Sequence, residues 1–217
     1  MPRMTIVIGN KNYSSWSLRG WIALKSTGAE FDEVRIPLRR PTTRAEILKH
    51  APAGKVPVLH DSGVTVYESL AVCEYLAEKF PAARLWPEDM GARALARAVS
   101  AEMHAGFASL RSDMPMNCRA HLPGKGATLA ALTDVARIEA IWNDCRGRYG
   151  GEGDFLFGRF SVADAMFAPV ASRFATYEPG LGPTAKAYVE AIHALSAMQE
   201  WIEAARAEPE QLVEMEI

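Results

Sequence analysis

A proline at the front of a strand pattern constrains the folding of this chain more than any other residue. Residues 56–59, Val-Pro-Val-Leu, have the composition of a buried β-strand, yet Pro57 lacks the amide proton that a strand ladder needs. A cis Val56–Pro57 peptide bond resolves this conflict, because it turns the chain and leaves the Val56 amide and carbonyl free to pair with an extended ligand. The alternative from these residues alone is an edge strand with a trans proline.

A second pattern follows shortly after the first. A hairpin turn at residues 61–63 and a short strand at residues 64–67 lead to Glu68 and Ser69. We predict that Ser69 caps a helix over residues 70–80, whose first amides then bind a carboxylate. The Glu68 carboxylate beside them suits an ammonium group. One ligand with an α-amino group, an α-carboxyl group and a peptide unit therefore fits both patterns.

Together these two patterns resemble a known ligand-binding core. Residues 51–59, Ala-Pro-Ala-Gly-Lys-Val-Pro-Val-Leu, with the later Glu-Ser pair are similar to the glutathione-binding core of the glutathione transferase family, which usually has Asn in place of Ala51. The resemblance implies that glutathione binds as a co-substrate, without a further cofactor. The residues that it implies for glutathione binding are Val56, Pro57, Glu68 and Ser69. Lys55 is either a surface charge at the strand end or a partner of the glycyl carboxylate of glutathione.

The composition limits the other classes of function. The 217 residues, 49% of them hydrophobic, can bury the core of one large or two small domains. A net charge of −2 leaves no basic footprint for nucleic acid or for an anionic membrane. The three cysteines lack Cys-x-x-Cys spacing and the histidines lack ligand partners, so we expect neither a disulfide framework nor a metal site. Since no signal peptide pattern or long apolar run is present, we expect a soluble protein of the cytoplasm.

The first half of the chain alternates strand and helix patterns. Before the Val-Pro-Val-Leu segment, strand patterns lie at residues 5–8 and 34–38, and helix patterns lie at residues 16–25 and 44–50. With the hairpin and the helix that follow, the order becomes β, α, β, α, β, β, α, which is the thioredoxin-like arrangement. We therefore predict an α/β N-terminal domain over residues 1–82.

The second half has helical patterns throughout, after a linker that contains prolines. We place the linker at residues 83–92 and an all-α domain at residues 93–217, which lines the electrophile site and completes the glutathione transferase fold. The helix patterns lie at residues 93–111, 129–149, 161–177, 186–192 and 198–207. Ser161 and Asp164 form a Ser-x-x-Asp capping box, which the family also carries on a buried helix.

The N-terminus of the first helix is the candidate catalytic segment. A glutathione thiolate needs hydrogen-bond donors and positive potential, and a hydroxyl at a helix N-terminus supplies both. Residues 14–19, Ser-Ser-Trp-Ser-Leu-Arg, resemble the Ser-Ser-Cys-Ser-x-Arg segment of zeta-class transferases, whose first serine stabilises the thiolate. This resemblance makes Ser14 the catalytic hydroxyl, with Ser15 and Tyr13 as alternatives. Trp16 stands where the zeta class has cysteine.

An electrophile pocket is expected between this segment and the first helix of the second domain. Spacings of three and four residues put His104, Phe107 and Arg111 on one stripe of that helix. With Tyr13 and Trp16 they would line an apolar pocket with a cationic rim for an electrophile or an anionic group. The alternative is that Phe107 belongs to the core and the two polar residues form a solvated edge.

The family resemblance implies an enzyme that prepares the glutathione thiolate for attack on small electrophiles, as a detoxifying transferase. Close variants are a glutathione-dependent isomerase and a peroxidase. The competing class is a non-catalytic glutathione-binding or regulatory protein on the same fold. A thiol reductase is disfavoured, because no cysteine lies at the turn that holds Ser14. The family also implies a two-fold homodimer that pairs the first domain of one subunit with the second domain of the other.

Overall fold

The N-terminal half of the protein contains a four-stranded mixed sheet. A computed structural model describes residues 3–151 and 153–216. β1 runs parallel to β2 and antiparallel to β3, and β3 runs antiparallel to β4. The predicted order of elements and the thioredoxin-like arrangement are confirmed. The strands, in the spatial order β2-β1-β3-β4, are β1 (Met4–Ile8), β2 (Phe31–Arg35), β3 (Val58–Asp61) and β4 (Val64–Tyr67).

Helices cover both faces of this sheet. Ile6 and Ile8 of β1 pack in the large core with the first and third helices, whereas Val7 packs on the other face with Ile47 of the second helix. Because successive strand residues point to opposite faces, a strand that is apolar on both faces must be covered on both sides. The helices of this half are α1 (Ser15–Lys25), α2 (Thr43–Leu48) and α3 (Ser69–Lys79).

The C-terminal half is a bundle of helices around α7, which is buried along nearly its whole length. α1 packs directly against α7 and joins the two halves. In the described part of the chain, none of the helices combines the length and apolar character needed to cross a lipid bilayer. The bundle comprises α4 (Met90–Ala105), α5 (Ala108–Asp113), α6 (Leu129–Cys145), α7 (Val162–Tyr177), α8 (Pro183–Ala194) and α9 (Ser196–Ala207), and a π-helical turn, Arg146–Gly150, follows α6.

The structure corrects the helix predicted over residues 93–111. α4 begins earlier, at Met90, inside the segment predicted as linker, and it ends before Gly106. Phe107 then adopts a left-handed backbone with φ of 63°, and α5 begins after it. A side chain at position 106 would come within 2.9 Å of the Glu102 carbonyl oxygen, so this turn requires glycine. The break changes where the residues beyond it point.

The predicted capping box at the start of α7 is confirmed, and it is buried. The Asp164 carboxylate accepts hydrogen bonds from the amides of Ser161 (2.8 Å) and Leu156 (3.1 Å). It also accepts one from the Tyr188 hydroxyl at 2.9 Å. Burial raises the pKa of Asp164 to about 6, and the hydrogen bonds to its charged form oppose this rise. The box anchors the helix that carries one of the arginines described below.

Candidate active site

Ser14 is the N-cap of α1, at the helix end where unpaired amides concentrate positive potential. Its Oγ accepts a hydrogen bond from the Ser17 amide (3.3 Å) and donates one to Ser17 Oγ (2.7 Å). Ser17 Oγ also accepts a hydrogen bond from the Gly9 amide (2.9 Å), which ties the cap to the end of β1. Ser14 therefore caps the helix, and Ser15 is its first helical residue.

A first cavity, of about 520 Å³, opens beside Ser14. It lies between the N-terminus of α1, the loop before β3 and the N-terminus of α3. The predicted glutathione-binding residues Lys55, Val56 and Glu68 line it together, with Trp16 and His104 on the side of the helical half.

The loop before β3 packs tightly on α1. The Val56–Pro57 peptide bond is cis, as predicted from the strand pattern. Pro57 is buried beneath the cavity, and a Cβ atom added to Gly20 of α1 would come within 3.1 Å of its Cγ. This close contact holds Val56 at the cavity wall while Lys55 remains exposed.

Glu68, and not Ser69, caps α3, which corrects the prediction. The backbone of Glu68 has φ of 82°, which is uncommon outside glycine, and its carboxylate accepts a hydrogen bond from the Leu70 amide at 3.3 Å. Ser69 is already helical, and its buried Oγ has no hydrogen-bond partner within residues 3–151 and 153–216. Strained backbone of this kind occurs often at ligand sites. Glu68 Oε2 also lies 3.4 Å from Nδ1 of His104.

A second cavity, of about 290 Å³, adjoins the first. Ser14 and Trp16 line both cavities, as do Leu38 and Arg39. A group held near the Ser14 hydroxyl in one cavity can therefore meet a molecule held in the other. The other residues that line the second cavity are Tyr13, Ser15, Arg111, Arg173, Leu212 and Met215.

Two arginines give the second cavity a positive charge. Arg173 is buried in α7, where its Nε donates to the Met114 carbonyl (2.9 Å) and its Nη1 to the Pro169 carbonyl (3.2 Å). Burial and the neighbouring charge of Arg111 lower the pKa of Arg173 to about 9. Arg111 donates from Nε to the Gly106 carbonyl (3.0 Å) and from Nη2 to the Met103 carbonyl. Burial lowers the pKa of Arg111 as well.

A third arginine, Arg19, lies behind this cavity. It is fully buried on α1, and its Nε donates to the Met166 carbonyl at 3.0 Å. Burial, and then the charges of Arg111 and Arg173, lower its pKa well below the ordinary value. Among the described residues no carboxylate forms an ion pair with any of the three arginines, so this cluster is suited to an anion that the protein does not itself provide.

The predicted stripe of His104, Phe107 and Arg111 is wrong as a single helix face. Because the helix breaks at Gly106, His104 lines the first cavity from α4, whereas Arg111 lines the second from α5. Phe107 is buried in the core, as the alternative interpretation held. The pocket predicted as one site is therefore divided between two cavities.

The hydroxyl of Tyr13 is occupied by the C-terminal segment. It accepts hydrogen bonds from Arg119 Nη2 (2.7 Å) and the Leu212 amide (3.3 Å), and it is hydrogen-bonded to the Glu216 carboxylate. Tyr13 itself is buried and borders only the second cavity. This environment favours Ser14 over Tyr13 as the hydroxyl nearest to a ligand in the first cavity.

The segment after α9 closes one side of the second cavity. Glu208 accepts hydrogen bonds from the amides of Lys11 (2.7 Å) and Asn12 (3.1 Å). The Arg119 guanidinium donates to the carbonyls of Glu208 (2.7 Å) and Glu210 (2.8 Å). These contacts place Leu212 and Met215 at the cavity wall. Sequence reasoning missed both, because the contacts join residues far apart in the chain.

Arg173 was also missed, although the sequence carries a signal for it. It is a charged residue within the mostly apolar sequence of α7, and a charged side chain in the middle of a buried helix indicates a candidate functional residue.

Comparison with known proteins agrees with this architecture. The model of the glutathione S-transferase N-terminal domain matches residues 13–79, and that of the C-terminal domain matches residues 94–204. The chain therefore belongs to the glutathione S-transferase family. The family, the fold and the enzymatic class inferred from the sequence are confirmed.

Similar curated proteins include maleylacetoacetate isomerases. The protein of Rattus norvegicus is 29% identical over 191 residues, which cover 85% of each chain. The probable maleylacetoacetate isomerase of Caenorhabditis elegans is 28% identical over 164 residues, which cover 74% of this chain and 75% of the relative.

Solved structures share the fold. A glutathione transferase homolog from Burkholderia, with bound glutathione, superimposes with a TM-score of 0.73 at 23% identity, covering 95% of this chain and 100% of that one. A tau-class enzyme from mango superimposes with a TM-score of 0.74 at 19% identity, covering 94% and 96%.

Proposed function

We propose that this protein binds glutathione in the first cavity and directs its thiolate at a small anionic electrophile in the second. The observation that carries the proposal is that Ser14 lines both cavities, while Arg111 and Arg173 line only the second. A nucleophile beside one hydroxyl can then react with an electrophile whose carboxylate is held by the arginines.

The first cavity matches the polar groups of glutathione. Glu68 is placed to accept a hydrogen bond from the γ-glutamyl ammonium group. The buried Ser69 hydroxyl and the amides at the start of α3 suit the neighbouring carboxylate. The Val56 backbone would pair with the cysteinyl peptide unit, with Pro57 packed beneath it. Lys55 is available to the glycyl carboxylate.

The Ser14 hydroxyl is proposed to donate a hydrogen bond to the thiolate. In the structure it donates to Ser17 Oγ, so the proton must rotate toward the sulfur when glutathione binds. A free thiol has a pKa of about 8.5, and the N-terminus of α1 with the nearby guanidinium groups favours the charged form. The sulfur then attacks the electrophilic carbon, and Ser14 retains its own proton throughout.

Two outcomes of that attack are chemically possible. In a transferase, the thiolate displaces a leaving group, which departs with its electron pair, or adds to a double bond whose carbanion takes a proton from water, and the thioether product keeps glutathione. In an isomerase, the thiolate adds to an activated cis double bond, the carbon–carbon bond rotates and the thiolate leaves, so glutathione is returned. The similarity to maleylacetoacetate isomerases favours isomerisation as the second candidate, although Trp16 replaces the cysteine of the zeta-class segment. Measuring glutathione consumed per product formed separates the two.

Replacement of Ser14 tests the proposed mechanism. Ser14→Ala should reduce kcat/KM on the order of tenfold to a thousandfold, while glutathione affinity stays nearly unchanged, because the hydroxyl matters chiefly for the charged sulfur. Ser15→Ala is the matched control, since Ser15 is adjacent and borders only the second cavity. A crippled Ser15→Ala with an intact Ser14→Ala would move the role to Ser15. If only Tyr13→Phe lost activity, Tyr13 would hold the thiolate.

A non-catalytic role makes the opposite prediction. A protein that only binds glutathione would show a Kd for glutathione but no turnover with a panel of anionic, neutral and peroxide electrophiles. Turnover with peroxides alone would identify a peroxidase.

We further propose that the protein acts in detoxification in the cytoplasm as a two-fold homodimer. Met90 and Tyr67 are large apolar side chains that are 77% and 43% exposed, at the start of α4 and the end of β4, and they are candidates for the subunit contact. A stable monomer in sedimentation at micromolar concentration would contradict the dimer, and cell fractionation tests the location.

A further inference from the structure

Trp16 contacts two guanidinium groups at the junction of the cavities. The Cζ atom of Arg19 lies 4.4 Å from the centre of the indole ring, and that of Arg111 lies 4.8 Å from it. The ring of His104 meets the indole edge-on at 5.2 Å. Since Trp16 lines both cavities and Arg19 lines neither, the indole is both a partition between the cavities and a cover over Arg19.

The covered arginine lacks hydrogen-bond partners. Both Nη1 and Nη2 of Arg19 are buried, and within the described ranges neither finds an acceptor. Nη1 of Arg111 is likewise buried without an acceptor among the described residues. Buried guanidinium groups are almost always paired, because an unpaired charge in a low-dielectric interior is costly. Contact with the face of an indole compensates such a charge only in part.

The position of the unpaired atoms has a chemical consequence. Arg19 lines neither cavity and lies against the ring that lines both, so the indole occupies the space through which a ligand would reach Arg19. A planar guanidinium presents parallel N–H groups that bind a carboxylate at two points. Removing the ring would therefore add a further carboxylate-binding group beside Arg111 and Arg173.

We infer that Trp16 is a selectivity residue, which withholds Arg19 from the bound substrate and so matches the site to an electrophile with one carboxylate rather than two. The inference rests on the proposed function in assigning the second cavity to an anion. The inference predicts that removal of the indole shifts the preference of the site toward ligands with two carboxylates, and it assigns that shift to Arg19.

The test compares succinate with butyrate, which have the same carbon chain but two and one carboxylates. Their Kd values are measured by calorimetry on the full chain, and the readout is the ratio of the two. Trp16→Ala should tighten succinate binding on the order of tenfold or more and leave butyrate nearly unchanged, because one charge-assisted, two-point contact is gained. A larger cavity by itself would move both ligands together.

Two further variants assign the effect. Trp16→Phe keeps an aromatic face over Arg19 and should retain the ratio of the unaltered protein. Trp16→Ala combined with Arg19→Met should lose the gain, since methionine fills similar volume without charge. If melting without ligand shows that Trp16→Ala does not fold, Trp16→Leu takes its place with the same expected direction.

The possible results have distinct meanings. An unchanged ratio in the alanine or leucine variant overturns the role of Trp16, as does a gain that survives the loss of Arg19. If the unaltered protein and its Trp16 variants bind neither acid, the anion assignment of the second cavity fails, and the inference fails with it. Butyrate binding that depends on Arg173, without any gain at Trp16, would support the proposed function and refute only the selectivity role.

Discussion

The two cavities that meet at Ser14 differ in charge and in construction. The first combines a carboxylate, an ammonium group and backbone amides, contributed by Glu68, Lys55 and the loop at Val56. The second is lined by Arg111 and Arg173, neither of which has a carboxylate partner in the described chain, and by Arg39, which pairs with Glu214. A mixed set of charges suits a zwitterionic peptide, whereas an unbalanced positive set suits a simple anion. On the proposed function, this difference would let the two substrates be recognised independently and react only where the cavities join.

Replacing Arg173 should have the largest effect on this comparison. Arg173→Met should lower kcat/KM for an anionic electrophile on the order of tenfold to a hundredfold, because it removes a charge-assisted contact to the carboxylate. A neutral electrophile with the same reactive group is the control and should change little. The affinity for glutathione, measured by calorimetry, should stay constant. Equal losses with both electrophiles would mean that Arg173 supports the structure of the site rather than the anion.

Replacing Glu68 should affect only the first cavity. Glu68→Gln should weaken glutathione binding on the order of tenfold, because the carboxylate that accepts from the ligand ammonium becomes neutral. The amide oxygen can still cap α3, so the melting temperature without ligand should change little. Glu78→Gln removes the same charge from an exposed position on α3 and serves as the matched control. A similar loss of melting temperature and of affinity would assign Glu68 a structural role.

Asp164 lies outside both cavities, so its replacement should change stability and not binding. The folded protein holds a proton on Asp164 up to about pH 6, whereas the unfolded chain releases it near the ordinary pKa of 3.8. Between these values the folded state binds more protons, so this group lowers the free energy of unfolding as pH rises. Asp164→Asn should therefore be more destabilising at pH 4.5 than at pH 7, on the order of 1–3 kcal/mol at its largest.

Urea denaturation at the two pH values measures this difference. A variant whose deficit is the same at both values would contradict the raised pKa. A change in the Kd of glutathione would contradict the separation of this network from the first cavity.

Much of the fold and of the first cavity could be predicted from the residues. Alternating apolar patterns indicated the order of the strands, and Pro57 with the later Glu68 indicated the ligand site, because both depend on local backbone geometry. Local reasoning failed in two places. Ser69 was predicted as the helix cap, but the backbone of Glu68 turns its carboxylate over the first amides instead. The stripe through His104 and Arg111 assumed a continuous helix, which Gly106 ends.

Residue patterns alone therefore predicted the class of the protein, the thioredoxin-like order of its elements and the position of Ser14 at a helix N-terminus. These features follow from residues close together in the chain, where spacing and turn chemistry limit the backbone to few conformations. Three features appear only in the folded structure: Arg19, Arg111 and Arg173 converge, Trp16 contacts two of them, and the segment after α9 closes the cavity beside them. The physical reason is that these contacts join separate helices through packing, and no local pattern encodes which buried charges will become neighbours.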